Sequence, residues 1–591
     1  MRFSARSKGG ILLSIITILT LVSAIMVTIV SRGTASHAAS TAPITATYQG
    51  KPLNGVQTAT LPGIPTKVTQ PHQQQTSPQD LDARAGGKAA SKTGAVHGVP
   101  ATKGTAILNA AAEGSLLHNF NALSDLDQAT ANGAVFGAGP FGFEVTPPDQ
   151  GLCVGHDFTL SGNPTAVFEL INVAVAEYSP SGTLLRPVSA IVSFFADPFA
   201  FSDPRCFYDA KNHAFYFTII SFNATTGNTV DDVAVLDSHG FAVYQFDSSL
   251  GGTCFGDQPH VGYDNNNLYV ATDEFCGPTQ SVYEGALLIA ISKSQLLQEV
   301  AAPNAVEFGP LALGGVPILT LQPAVGPGIG TEYLLNSFPF DQFGNNNSIA
   351  NTLGFWQVKG GIHVTTGGTV TLTGTIITSE TYAFPQPAAS TGNGSVTLVS
   401  GGPLKNIPVT SEAFLNPDDD RMQQVQAFNQ AGDVDLYASL PTAINIPGDP
   451  SARDGVAWFK IDAESQSFEA QGYVAVAGSY LLYPAIYHTG DGTTALVFTI
   501  TSPTLNPSAA YTVMSSTATS FGGITITATG AGPHLSFSDA LFGVARWGDY
   551  SAAVLGPDNT NLWLATEYIP PAANQDPFDN WGTNIFEVAG A

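Results

Sequence analysis

The feature that most constrains this chain is a strand–turn–strand theme that returns seven times between residues 147 and 568. Each instance has a polar residue, often followed by Pro, then an apolar strand, an Asp/Asn/Gly turn and a second apolar strand. The instances are PPDQGLCVG, SDPRCFYDAKNHAFYFTIISF, GDQPHVGYDNNNLYVATDEF, LQPAVGPGIGTEYLLNSF, MQQVQAFNQAGDVDLYASL, LYPAIYHTGDGTTALVFTI and GDYSAAVLGPDNTNLWLATEY. Aligned, they anchor on Asp149, Asp203, Gln258, Gln322, Gln423, Tyr483 and Asp549, at intervals of 54, 55, 64, 101, 60 and 66 residues. A period of this size marks a repeat architecture, because one such unit cannot bury its apolar faces alone.

After each hairpin a further strand pair follows, as in ALLIAISKS, DGVAWFKIDAE and TNIFEVAG. Four antiparallel strands in about 40–50 residues or more is the size of a propeller blade. The fold class expected is therefore all-β, a β-propeller of about seven four-stranded blades. A pair of β-sandwiches is the alternative that short, evenly spaced strands also permit. The long interval from Gln322 to Gln423 contains GIHVTTGGTVTLTGTIITSETYAF, which fits long outer strands plus an insertion. The last repeat shows three strands, so a fourth must come from elsewhere. LLHNFNAL at 116–123 is expected to supply it and close the ring over residues 105–591.

The N-terminus argues for export. Arg2, Arg6 and Lys8 precede Ile11–Val30, twenty residues without a charge, and small residues surround Ala38 and Ala39. Two readings stay open for residues 1–39, a cleaved signal peptide and a retained membrane anchor. Both put the rest of the chain outside the cytoplasm, secreted or tethered to the outer face of the membrane. Residues 40–104 are rich in Thr, Pro and Gln and read as a disordered linker. Four cysteines in an exported chain suggest disulfides. Cys254 and Cys276 flank one hairpin and should meet at its open end. Cys153 and Cys206 hold nearly equivalent places in successive repeats and make the second pair.

PPDQGLCVG, SDPRCFYD, GDQPHVGYD, QPA and the late RWGDYSA, EY and WGT together resemble a group of secreted bacterial β-propeller proteins, often likened to sialidase-type propellers. The resemblance spans roughly residues 115–590. It implies a propeller and an extracytoplasmic setting, and it carries over no activity and no catalytic residue.

The first strand of each blade lines a propeller's channel, and its starting end opens on one face. Asp149, Asp203, Asp257, Gln258, Gln322, Gln423, Tyr483 and Asp549 are thus expected around one mouth. A ring of hard oxygens suits Ca²⁺, the one cofactor this pattern admits. The plainer reading is that these residues tie blade to blade through backbone N–H groups or neighbouring arginines. Of five arginines beyond residue 105, Arg205, Arg421 and Arg546 lie within three residues of an anchor. Arginine grips carboxylates in bidentate fashion, so the three form a candidate anion clamp. Tyr208, Glu274, Tyr483 and Glu567 are the candidate nucleophiles or acid/base groups beside it. No Asp-box, HExxH, G-x-S-x-G or phosphate loop occurs.

A net charge of −26 excludes nucleic acid and disfavours anionic lipid. The leading expectation is a non-catalytic, monomeric propeller that binds an extracellular glycan, polymer or protein at its channel face. It would touch a membrane only through its N-terminal segment. The runner-up is a glycoside hydrolase that uses the arginine clamp.

Overall fold

The alternation of side chains along each strand decides how this chain packs. In the hairpin partner strand Ala214–Phe222, Phe217 faces one way and Tyr216 the other. The same split recurs at Tyr269 against Val270, Phe355 against Trp356, and Val497 against Phe498. Both faces of these strands are apolar, so each sheet must be covered on both sides. The computed structural model shows how. It describes residues 43–65, 114–136, 145–326, 330–338, 349–401, 404–537 and 544–590.

Among these residues, seven antiparallel sheets contain four or more strands. Their first strands are Gly151–His156, Ser202–Asp209, Cys254–Tyr263, Gln322–Pro323, Gln424–Gln430, Tyr480–His488 and Ala552–Leu555. We number the sheets I to VII in that order. Each first strand contacts the next, and that of sheet VII contacts that of sheet I. Seven apolar clusters fill the gaps between successive sheets, and the one containing Trp563, Ile585 and Leu152 joins VII to I. The arrangement is propeller-like and cyclic, which a pair of sandwiches is not.

Near the axis the strands approach closely. A side chain at Gly262 of sheet III would meet the Ala324 carbonyl of sheet IV at 2.4 Å, so only glycine fits there. Sheets IV and V are joined by backbone bonds, Val325 N–H to Val425 O at 2.9 Å and Ala427 N–H to Val325 O at 3.0 Å. Strand Leu116–Ser124 is the fourth strand of sheet VII, pairing antiparallel with Gly582–Val588. Helix α1, Asp125–Phe136, follows it. Both disulfides are formed, Cys153–Cys206 between the first strands of sheets I and II, and Cys254–Cys276 within the hairpin of sheet III. Stable bridges of this kind belong to oxidising compartments.

One expectation is corrected. The segment 40–104 is not disordered throughout, because Thr45–Gln49, Lys51–Asn54 and Val56–Leu61 are strands. They add outer strands to sheets IV, III and II in turn. Alternation explains it: Ala46 and Tyr48 pack inward on the cluster that contains Trp356, while Thr45 and Thr47 stay exposed. Such strands cover edges that would otherwise present unpaired backbone groups. The segment 1–39 and the remainder of the linker lie outside the described residues. No helix among the described residues is long and apolar enough to cross a membrane.

The long interval in the repeat is also accounted for. Sheet IV has outer strands Ile349–Lys359 and Thr371–Ala383. An insertion then forms two small sheets, one pairing Ala388–Ala389 with Phe414–Leu415, the other joining Val396–Gly401 and Leu404–Ser411 to Leu535–Ser536.

Candidate functional site

The X-Pro step at the start of the repeats has a structural meaning. Asp203, Gln258 and Tyr483 each precede a proline, and with Asp149 they hold φ values of 55°, 49°, 50° and 52°. Positive φ is uncommon outside glycine. At the same place the ladder slips in sheets II, III and VI. A proline cannot donate to the ladder, so the strand bulges as it enters the axis.

This bulge turns the anchors into the body rather than into solvent. Asp149, Asp203, Asp257, Gln258, Gln322, Gln423, Tyr483 and Asp549 are all at most 6% exposed. All eight thus form a buried layer, and Gln322 and Gln423 among them also line the cavity described below. Part of that layer is sealed by the insertion, since Asn416 N–H bonds Ala545 O at 2.7 Å and the Tyr483 hydroxyl donates to Asn416 O at 3.0 Å.

Much of the layer ties sheet to sheet. Asn172 donates to Asp149 Oδ2 at 2.6 Å and accepts from Asp203 N–H at 2.8 Å, joining I to II. Asp273 accepts from Thr320 N–H at 2.9 Å, joining III to IV. Arg421 is 1% exposed and holds Asp419 through Nε at 2.8 Å and Nη2 at 3.0 Å. Its Nε also lies 2.9 Å from Asp418, and its Nη1 donates to Gln258 of sheet III. Arg546 pairs with Asp549 at 2.6 Å. Two of the three arginines of the expected clamp are thus committed to aspartates.

Burial, followed by the charges of Asp549 and Asp203, raises the Asp149 carboxyl well above the usual range. In the same layer Arg421 and Arg546 already pair with aspartates, supplying positive charge where the Ca²⁺ reading would place the ion. Among the described residues, the group of three acidic side chains close enough to share a cation is Asp435, Asp462 and Glu469 on sheet V. Lys460 already lies 3.1 Å from Asp435 there.

Above the buried layer runs a cavity of about 260 Å³ along the axis. It reaches the turns on the opposite face, where Lys211, Asn265 and Asn559 are exposed. Access is therefore from the turn face. Around this cavity six side chains from six sheets carry buried polar atoms with no hydrogen-bond partner among the described residues. These are both side-chain ends of Gln150, Arg205 Nη2, His260 Nε2, Gln322 Oε1, Gln423 Nε2 and the Tyr550 hydroxyl. The Arg205 guanidinium carbon lies 3.0 Å from the centroid of the Tyr550 ring, a cation–π contact that fixes its position. His260 packs edge-on to the same ring at 5.7 Å. Burial first, then the charges of Arg205 and Arg421, lowers its pKa well below the usual value, so the imidazole is neutral.

Of the sequence candidates, Arg205, Gln322, Gln423 and Tyr208 line this cavity. Tyr483 is engaged by Asn416. Glu274 accepts from Thr272 at 2.6 Å and Glu567 from Gly548 N–H at 2.7 Å, and neither lines the cavity. Sequence reasoning missed Gln150 and Tyr550, each one residue beyond an anchor. The alternation along a strand was the available signal: a neighbour of a buried anchor points the other way.

No family model matches this chain, and no curated protein matches it. Among solved structures, a protein of unknown function from Dyadobacter fermentans is 10% identical, with 66% of this chain and 95% of that one covered and a TM-score of 0.32. The GH93 α-L-arabinofuranosidase of Fusarium graminearum is 8% identical over 79% of this chain and 97% of its own, with a TM-score of 0.32. The catalytic domain of the GH62 α-L-arabinofuranosidase of Coprinopsis cinerea is 12% identical over 58% and 95%, with a TM-score of 0.26. Values this low say nothing about chemistry.

Proposed function

We propose that this chain is an extracytoplasmic, seven-bladed β-propeller that binds the end of a glycan in its axial cavity, as a single copy and without a metal. The supporting observation is the shell of six cavity-lining side chains whose buried polar atoms lack protein partners. Leaving such a group dry costs about 1–3 kcal/mol. A hydroxyl-rich ligand supplies both donors and acceptors and offsets that cost. The Tyr208, Tyr263, Tyr487 and Tyr550 side chains around the same cavity offer the amphipathic walls that a sugar ring needs. A layer of committed side chains closes the deep end, which suits a chain terminus better than an interior segment.

A glycoside hydrolase is the second reading, because Asp209 and Asp264 also line the cavity. Asp209 is paired with Lys293, and Asp264 accepts from the N–H groups of Asn266 and Asn267 at 2.7 Å each. Both carboxylates are engaged, and binding is the function better supported.

The test is a screen of the purified full chain against labelled glycans, with and without EDTA. Binding that survives EDTA and weakens in Gln423→Ala and Gln322→Ala is expected. A screen with no binder, or binders indifferent to both substitutions, overturns the reading. Release of free sugar by the wild type, lost in Asp209→Asn, would establish the hydrolase instead.

A further inference from the structure

Five arginines fall among the described residues, and four of them are ion-paired. Arg186 pairs with Asp157, Arg421 with Asp419, Arg453 with Asp449 and Arg546 with Asp549. Arg205 makes no ion pair among the described residues, although the chain carries a net charge of −26 and carboxylates are plentiful. It is held by Tyr550 instead, with Nη2 buried and unpartnered at the cavity wall. A buried guanidinium N–H with no protein partner is costly. A ring stacked beneath the guanidinium keeps it from swinging toward a carboxylate of its own protein.

The distribution of positive charge points the same way. Only ten Lys and Arg residues lie beyond residue 145, and three of them, Arg205, Lys211 and Lys293, line this one cavity. Lys293 is committed to Asp209 and to Asp264 O, the latter at 2.9 Å. Lys211 sits exposed at the rim. One fixed, uncommitted cation therefore remains inside. The other unpartnered groups at the wall, on Gln150, Gln322, Gln423, His260 and Tyr550, are uncharged, and the carboxylates of Asp149, Asp203 and Asp549 lie near the Tyr550 ring.

We infer that the cavity takes a carboxylate-bearing sugar of the uronic acid class, with the carboxylate against Arg205 and the hydroxyls on the surrounding glutamines. This rests on the reading that the cavity holds a glycan end. A single planar guanidinium matches the charge and shape of one carboxylate. A phosphate dianion would bring a second negative charge toward the aspartates beneath the floor, with no cation inside to balance it.

The experiment measures binding of sodium D-glucuronate and sodium D-galacturonate to the full chain, against their uncharged methyl esters at matched ionic strength. The acids are expected to bind about tenfold or more tightly than the esters. Arg205→Gln should erase that preference, and Arg205→Lys should keep part of it. A second variant, Gln150→Glu, sets a negative charge in the cavity and should also erase the preference; it decides the matter if Arg205→Gln fails to fold. Esters that bind as well as acids, or a preference that survives in Arg205→Gln and Gln150→Glu, overturn the inference. Neutral glycans that bind in the screen while both acids fail refute the carboxylate and leave the glycan site standing. If nothing binds, both readings fall.

Discussion

Replacing Arg421 with Met separates a structural arginine from a ligand clamp. The side chain is 1% exposed, and its removal strips Asp419 of two charge-assisted bonds, Asp418 of its ion pair and Gln258 of a donor. Breaking a buried pair by deleting one partner costs about 3–5 kcal/mol, because the other charge stays buried without compensation. Arg421→Met should therefore lower stability by about that amount, read as a lower guanidinium midpoint by tryptophan fluorescence. Asp419→Asn in the same chain removes the stranded charge, so the double variant should recover a large part of the loss. Arg546→Met removes the pair with Asp549 from a less buried side chain and should cost less than Arg421→Met, roughly 1–2 kcal/mol. If Arg421→Met costs less than about 1 kcal/mol, the value of a surface pair, the buried-network reasoning is refuted. Loss of ligand binding at unchanged stability would restore the clamp.

Lowering the pH from about 8 to about 6.5 should stabilise this protein. Burial raises Glu169 to about 8 and Asp231 to about 7, so the folded state keeps protons that the unfolded chain releases in this range. Their stabilisation is complete below the ordinary carboxylate range and is lost as pH rises toward 8, at about 1.4 kcal/mol per pH unit for each titrating group. His488, lowered to about 4, acts oppositely but only below about 6.5, where the unfolded imidazole gains its proton. Unfolding midpoints from pH 6.5 to 8 should fall, and a rise would contradict the assignment; Glu169→Gln should flatten the slope. The disulfides close loops of different length, with separations of 53 for Cys153–Cys206 and 22 for Cys254–Cys276. Replacing each pair with Ser should cost about 4 and about 3 kcal/mol respectively, and the reverse order would contradict loop-closure reasoning. Tyr48 both donates to and accepts from Ala312 at 2.8 Å and packs on Trp356. Tyr48→Ala should free residues 45–61 to limited proteolysis while the seven sheets stay intact by circular dichroism.

How far the sequence was legible depends on how local the information is. The first two strands of every repeat show plainly, because anchor, turn and apolar alternation lie within about twenty residues and recur. The pairing of Arg421 with Asp419 was also within reach, two residues apart. Thr45–Leu61 was not. Its partners lie between Phe241 and Thr375 in sequence, and its Thr- and Gln-rich composition lacks the apolar runs that mark a buried strand. Which end of the channel is open was not legible for a similar reason. Repeats place polar residues at the start of each first strand, but an insertion at 388–415 and its contact with Ala545 help decide which end is sealed. Arg205 was legible as a candidate, and its lack of an ion pair was not, since that depends on Tyr550 from the far side of the repeat array.

The strand that joins the two ends of the body sets the timing of folding. Asn119 and Asn584 hydrogen-bond across a sequence separation of 465, whereas the hairpin of sheet III closes over 22. By loop-closure entropy alone the former is harder by roughly 2.7 kcal/mol. Sheet VII also cannot exist as four strands until residues 582–588 have been made. Until then Trp563 and Ile585 have no completed sheet in which to meet Leu152, and the gap between sheets VII and I stays wet. A chain cut short of residue 582 should consequently leave an unclosed ring with apolar faces exposed on both flanks of that gap. The late pairing of Gly582–Val588 with Leu116–Ser124 thus decides whether the apolar faces of sheets VII and I are covered at all.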